Sequence, residues 1–443
     1  MRVRQGRPPR RGGRDAPGLA ERRAAALAFA AALDREATLD EALAREGEQP
    51  LARAIAVTAF RHFGTIGRAL GERLAKGMPR DSLVTAILAT GAAQILFLDT
   101  PDHAAVDLAV RLARESDRTR HLSGMVNAVL RRIAREREEI GLACEASAEL
   151  PGWLAARWRR NWGEARTEAI AAAQLAGAAL DLTCRTEPET WTARLGGILL
   201  PTGSLRILDR RPVTELPGFA EGAFWVQDAA AAIPARLLEA KPGERILDLC
   251  AAPGGKTAQL AAAGAEVTAL DRSASRLERL AANLARLGLS AEIVCADALS
   301  FEAAPFDAVL LDAPCTATGT LRRHPDIGWT RSEEDIRILA ARQAALLDRA
   351  AGLVRPGGRL VYCVCSLEPE EGEEQAAAFL ARRGDFARLP ITTGEQGVGP
   401  EMLTPAGELR SAPDLWAQGP EAAQESWRPG LDGFHAVRLV RTK

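Results

Sequence analysis

The spacing of apolar residues divides the chain into three stretches. From about Glu21 to Glu139 they recur every three or four positions, as in RRAAALAFAAALDREATLDEAL, LARAIAVTAFRHFGTIGRALGERL and DSLVTAILATGAAQILFLD. This is the period of packed helices, with breaks at Gly47, Gly77-Met78-Pro79 and Thr100-Pro101-Asp102. Asp81 or Thr100 is placed to cap the helix that follows, its side-chain oxygen taking an otherwise unpaired N–H. Residues 102–138 read as two more helices with a turn near Ser123-Gly124. The pattern predicts an all-helical domain over residues 20–145, with His103, His121 and Asn127 as packing or surface groups.

Residues 146–235 read as a linking subdomain of helices and short strands. LPGWLAARWRRNWGEARTEAIAAAQ suggests two short helices, with Trp153, Trp158 and Trp162 set among Arg157, Arg159 and Arg160. Such a mixture can stack on bases and hold phosphates, but tryptophans anchoring a junction is the preferred reading. ALDLTCRT, WTARL and SLRILD look like strands, and FWVQDAAAAIPARLLEA like a strand end followed by a helix. From residue 236 to 443 the pattern becomes strand, loop, helix. ERILDLC, AEVTALD, AEIVCAD, FDAVLLDAP and GRLVYCVCS are short apolar strands, with KTAQLAAAG, SASRLERLAANLARLG and SEEDIRILAARQAALLDRAAGLV as helices between them. Continuous apolar strands alternating with helices predict an α/β fold, a mostly parallel Rossmann-like sheet covered on both faces. Chemistry is then expected beyond the carboxyl ends of the strands.

Hydrophobic residues at 47% and charged residues at 26% exclude a chain that is disordered throughout. No apolar run approaches the roughly 18–20 residues of a membrane span, and the basic start has no apolar segment behind it, so a cytoplasmic location is expected. The net charge of -1 hides an uneven distribution: six arginines and no acid in residues 1–14, and eight arginines in residues 111–137. Such patches attract phosphate backbones without sequence preference. A disordered basic tail over residues 1–19 and a solvated helix face account for them equally well. Seven cysteines, an odd number spread along the chain, are not a disulfide framework.

The first strand of the α/β stretch runs into DLCAAPGGKT, Asp248 to Thr257. Gly254 and Gly255 permit a tight turn and close approach by a ligand. A phosphate loop would need glycine where Cys250 stands, which removes the nucleotide-hydrolase reading. Asp271, ending the second strand, suits ribose hydroxyls, and Asp297, ending the third, suits a base edge. Nicotinamide cofactors and S-adenosyl-L-methionine both fit to this point, although G-x-G-x-x-G is missing after the first strand. The fourth strand leads to Asp312-Ala313-Pro314-Cys315 and the fifth to Tyr362-Cys363-Val364-Cys365-Ser366. If these strands are neighbours, Cys315 and Cys365 meet beside Asp312.

Methylation at carbon 5 of cytosine requires a thiol, a carboxylate and an adenosine-bearing methyl donor together. A thiolate adding to carbon 6 breaks the ring's aromaticity and makes carbon 5 nucleophilic. Asp312 would act at ring nitrogen 3 if protonated, or accept from the exocyclic amine if ionised. A base then removes the carbon 5 proton so that the thiol can leave. Spacing does not say which thiol attacks. Cys250 and Cys295 read as packed strand residues, and Cys363 as a small core residue. A zinc cluster of Cys315, Cys363 and Cys365 lacks a fourth ligand, and a thiol hydrolase would need His324 as its base. Arg322 and Arg323, in RRHPDIGW, are placed to clamp phosphates around a target base that must be unpaired or flipped.

DLCAAPGGKT, LLDAPCTATGTLRRHPDIGW and YCVCS, in that order, resemble the RsmB/Fmu/Sun group of ribosomal RNA cytosine-5 methyltransferases, and residues 20–140 resemble the NusB-like RNA-binding domain those enzymes carry in front. The resemblance covers nearly the whole chain. It implies that Cys250, Ala251, Ala252, Pro253, Gly254, Gly255 and Lys256 wrap S-adenosyl-L-methionine, with Asp271 at the ribose, Asp297 at the adenine and Asp312 lining the site. It implies that Cys365 is the nucleophile and that Cys315 helps release the product. It also implies a 16S rRNA substrate, a monomer and no metal. Three positions depart from the family: Val364 stands where threonine is usual, ALDLTCRT where an L-R-V-N-like strand is usual, and His435 where an aromatic is usual. The alternatives are another rRNA site, tRNA or DNA as substrate, or a NusB-like assembly factor whose rear domain has lost activity.

Overall fold

The computed structural model describes residues 17–141, 145–207, 211–416 and 430–443. Nearly all of the expected basic tail, and Cys144, lie outside the described residues. The chain divides into two compact units, residues 1–144 and 145–443.

The first unit is helical: α1 (Leu19–Leu33), α2 (Leu39–Arg45), α3 (Pro50–Arg61), α4 (Phe63–Gly71), α5 (Ser82–Phe97), α6 (Asp102–Glu115), α7 (Ser123–Arg135) and α8 (Arg137–Gly141). Val84 to Ile95 is buried without interruption, which makes α5 the hub of the bundle. At Gly91 a Cβ would lie 2.7 Å from Leu130 Cδ1, so glycine allows α7 to pack close. Phe29 and Phe60 stack with ring centroids 3.9 Å apart. Asp81 caps α5 by accepting from Leu83 N at 2.9 Å. Thr100 caps nothing, because Pro101 precedes α6. Ser123 and Gly124, expected as a turn, open α7, and the reversal falls earlier, between α6 and α7. Serine and glycine are as common at helix starts as in turns.

The second unit opens with α9 (Gly152–Trp162) and α10 (Glu164–Ala176). A small antiparallel sheet follows, in the order β2-β3-β1-β4, from β1 (Leu180–Cys184), β2 (Ile198–Leu199), β3 (Leu205–Ile207) and β4 (Phe224–Val226). WTARL, expected as a strand, lies in α11 (Pro188–Leu195), where Pro188 at the first turn presets a helical φ. Next come α12 (Ala229–Leu237), β5 (Arg245–Leu249), α13 (Gly255–Ala262), β6 (Glu266–Asp271), α14 (Ala274–Leu287), β7 (Glu292–Cys295), β8 (Phe306–Asp312), α15 (Asp326–Thr330), α16 (Glu333–Gly352), β9 (Val354–Val364), α17 (Glu373–Arg382), β10 (Phe386–Arg388), β11 (Leu409–Arg410) and β12 (His435–Arg441).

The main sheet runs β10-β12-β9-β8-β5-β6-β7, with β11 paired to β12. β9, β8, β5, β6 and β7 are parallel, and β12 is antiparallel to β9. On one face Leu249, Leu311 and Tyr362 pack with Leu346 of α16 and Phe379 of α17. On the other, Ile246, Leu310 and Val361 pack with Ile233 of α12 and Leu260 of α13. The chain moves outward from β5 to β7 and then returns to β8 on the other side of β5. The strand order therefore switches between β5 and β8, where such sheets open a crevice at their carboxyl ends.

Candidate active site

Asp248, near the end of β5, is fully buried; its Oδ2 accepts from Thr257 Oγ1 at 2.6 Å. Its Oδ1 has no hydrogen-bond partner among the described residues. The loop then turns sharply. Cys250 has φ 62, and Gly254 has φ +102 with Leu280 Cγ 2.6 Å from where a Cβ would stand. Only glycine fits that position. Ala251 and Ala252 are buried, Pro253 is exposed, and Gly255 starts α13. Asp271, itself buried, accepts from Ala252 N at 3.2 Å and Ser273 N at 2.9 Å. Asp297 is exposed and accepts from Leu299 N at 2.9 Å. A small cleft of about 70 Å³ is lined by Cys250, Asp271, Asp297, Pro314, Arg342 and Leu346.

Lys256, in the first turn of α13, donates to Asp312 Oδ2 at 2.8 Å. Burial disfavours its charge, but the Asp312 carboxylate outweighs burial and raises its pKa. Asp312 Oδ1 is 3.5 Å from the sulfur of Cys363, a fully buried thiol raised by burial first and by Asp312 second. Burial also pushes Cys250 up to about 12. An orphaned, buried carboxylate oxygen, a side-chain-free turn and carboxylates at the ends of β6 and β8 suit a cationic adenosine-bearing ligand. The residues therefore fit S-adenosyl-L-methionine.

β8 and β9 pair in parallel with Asp312 opposite Cys363, so the residues that follow both strands emerge side by side. Ala313 N donates to Cys363 O at 3.0 Å and Gly319 N to Cys365 O at 3.1 Å. The half-buried Cys315 and Cys365 bring their sulfurs to 3.5 Å. The contact with Cys365, then burial, then the Glu371 carboxylate push the Cys315 pKa up. Tyr362 and Val364 point into the opposite core, as the strand's two-residue period requires.

Arg322 and Cys295 depart from expectation, whereas the tryptophans of α9 are structural, as expected. Arg322 is fully buried and bonded to Asp228 at 2.9 Å and Asp432 at 3.4 Å, so it cannot clamp a phosphate. Arg323 is partly exposed, with its Nε on Asp432 at 2.7 Å. Cys295 is exposed on the edge strand rather than packed. The tryptophans of α9 are structural: Trp158 is fully buried and donates to Glu368 at 3.0 Å, and Trp153 donates to Gly328 O at 3.2 Å. Arg157 pairs with Glu368 and Glu370. His435 is buried against Glu408 at 3.0 Å, and burial lowers its pKa despite that partner. Reading the sequence did not find the buried acids Glu368 and Glu371 behind the thiols. The run SLEPEEGEE looks like the solvated start of a helix, and only its position directly after Cys365 hints otherwise.

A profile of the family described as 16S rRNA methyltransferase RsmB/F matches residues 235–413, and one of the NusB family matches residues 19–135. The ribosomal RNA small subunit methyltransferase B of Pseudomonas syringae pv. tomato is 36% identical, covering 95% of this chain and 96% of its own. That of Xanthomonas campestris pv. campestris is 39% identical over 85% of this chain and 91% of its own. Among solved structures, PH0851 matches with a TM-score of 0.71 and 25% identity, covering 95% of this chain and 98% of that one. A methyltransferase homolog protein from Pyrococcus horikoshii matches with a TM-score of 0.53 and 28% identity, over 65% of this chain and 94% of that one.

Proposed function

The chain belongs to the RsmB/F family of ribosomal RNA cytosine-5 methyltransferases, and on that premise we propose that it methylates carbon 5 of an unpaired cytosine in 16S rRNA through a covalent adduct of Cys365 at carbon 6. S-adenosyl-L-methionine, when bound, supplies an electrophilic methyl group. The loop from Cys250 to Lys256 and the carboxylates of Asp271 and Asp297 hold it. The observation that carries the proposal is the 3.5 Å contact between Cys315 and Cys365, on the turns that follow β8 and β9, with Asp312 at the end of β8 fixed by Lys256.

Each side chain takes a definite part. The Cys365 thiolate attacks carbon 6, and its position beside the ring supplies much of the rate. Lys256 fixes the Asp312 carboxyl through the 2.8 Å bond, and Asp312 then accepts from the exocyclic amine and orients the base. In this mechanism Cys315 donates its S–H to the Cys365 sulfur across the 3.5 Å contact between them. Solvent takes the carbon 5 proton, the electron pair of that bond re-forms the 5,6 double bond as the carbon 6–sulfur bond breaks, and the hydrogen bond stabilises the departing thiolate. In this reading the enzyme works as a cytoplasmic monomer on rRNA before ribosomal proteins cover the target.

The test uses purified protein, unmodified 16S rRNA and tritiated methyl donor, with bisulfite sequencing to locate the product. The parent protein should modify one cytosine. Cys365→Ala should lose transfer by at least about a thousandfold while its cofactor affinity stays within about twofold. Methylation at a different atom, or turnover retained by Cys365→Ala, contradicts the proposal.

A further inference from the structure

β8 ends at Asp312 and β9 at Val364, so both thiols stand on turns outside the ladder that aligns the two strands. The turns touch directly through Thr316 Oγ1 and Ser366 Oγ at 3.3 Å, and a buried acid bonds both of these residues. Glu371 Oε1 accepts from Thr316 N at 2.9 Å and from Gln343 Nε2 at 3.0 Å. Its Oε2 accepts from Ser366 Oγ at 2.5 Å and from Thr316 Oγ1. Thr316 directly follows Cys315, and Ser366 directly follows Cys365. Gln343, on α16, also donates to Pro314 O at 3.0 Å, which fixes the residue before Cys315. The backbone carbonyl of Glu371 accepts from Tyr362 Oη at 2.5 Å. Thr316, Ser366, Glu371 and Gln343 are all fully buried, so none of them can touch RNA or cofactor.

Burying a carboxylate is costly unless donors surround it, and here four do. Burial raises the Glu371 pKa and the donors around it oppose that rise, so each of the four bonds is costly to lose and the cluster resists displacement. Neither substrate binding nor the chemistry needs a buried acid at this place. Aligning the two sulfurs does: Thr316 Oγ1 and Ser366 Oγ meet directly at 3.3 Å, and among the described residues Glu371 is the side chain outside the two turns that bonds both of them.

We infer that Glu371 is a positioning residue whose carboxylate clamps the turns of Cys315 and Cys365 and thereby sets the contact between the two thiols. The inference rests on the function proposed above for the purpose of that contact, while the clamp itself is testable without any reaction. The clamp acts through Thr316 and Ser366, and removing either bond loosens one turn.

The experiment treats the full-length protein, without RNA or cofactor, with diamide, a two-electron oxidant. Two thiols lose their hydrogens to the reagent's nitrogen–nitrogen double bond, which becomes a hydrazine, and one S–S bond forms. Peptide mass analysis follows the Cys315–Cys365 cross-link. In the parent this pair should be oxidised before any other. Glu371→Gln should cross-link at least about tenfold more slowly, since effective concentration depends on orientation. Ser366→Ala, a milder change that keeps the fold if Glu371→Gln does not, should slow it to an intermediate rate. In methyl transfer, both variants should lower kcat while leaving the KM for the cofactor unchanged, and Glu371→Asp should restore part of kcat. Cross-linking and kcat in both variants within about twofold of the parent would overturn the clamp. A parent that cross-links in a Glu371-dependent way yet methylates no cytosine would support the clamp and contradict the function proposed above.

Discussion

At the end of β5 the carboxyl of Asp248 is shut away from water, and burial raises its pKa to about 7 even though Thr257 donates to it. An aspartate in the unfolded chain titrates near about 3.9. Between these values the folded protein holds a proton that the unfolded chain has lost. This group's contribution to stability is therefore fully present below about pH 4, declines as pH rises towards 7, and is flat beyond. Asp248→Asn removes the titration. The melting temperature of the variant minus that of the parent should rise between pH 4 and pH 7 and level off above it, as read by calorimetry across that range. A difference independent of pH would show that Asp248 is ionised in the folded state. Single residues were legible in the sequence where they belong to motifs at strand ends: Asp312, Cys315 and Cys365 converge as the pattern of the fourth and fifth strands implies. Glu371 was not legible, because its role depends on hydrogen bonds to residues 28 and 55 positions away.

Elements are joined by buried charge as well as by apolar packing. Arg322, in the segment between β8 and α15, meets Asp228, which caps α12, and Asp432, which leads into β12. Those partners are 94 and 110 residues distant, so the sequence shows an arginine pair beside a site and not a buried anchor. Removing one partner of a buried ion pair leaves charge without compensation. Arg322→Ala should cost about 3–5 kcal/mol of stability, measured by urea denaturation. A loss below about 1 kcal/mol, with RNA affinity reduced instead, would restore the phosphate-clamp reading that its burial contradicts. The strands and helices from residue 241 onward were legible because long apolar runs alternate with helical periods. WTARL was not, since five residues carry too little periodicity to distinguish a strand from the helix that Pro188 starts.

The whole molecule consists of a helical unit and a larger unit that contains every candidate site residue. The change of period along the chain made that division visible. The small antiparallel sheet was only partly so, its strands being two to five residues long. The arginines of residues 111–137 belong to the helical unit, and the cofactor cleft to the other. Deleting residues 1–144 should therefore leave a folded protein with unchanged affinity for S-adenosyl-L-methionine and at least about tenfold weaker binding of 16S rRNA at moderate salt. Calorimetry with the cofactor and filter binding with the RNA check the two halves. Equal RNA affinity in the truncated protein would place recognition entirely in residues 145–443.

The most direct test of the central claim, attack by Cys365 with release assisted by Cys315, is the mass of the trapped intermediate. Cys315→Ala protein is incubated with S-adenosyl-L-methionine and unmodified 16S rRNA, digested with nuclease and protease, and its peptides are weighed. A methylated cytidine nucleotide attached to the peptide carrying Cys365 is expected. Attachment to any other residue, or normal turnover with no adduct, would contradict it.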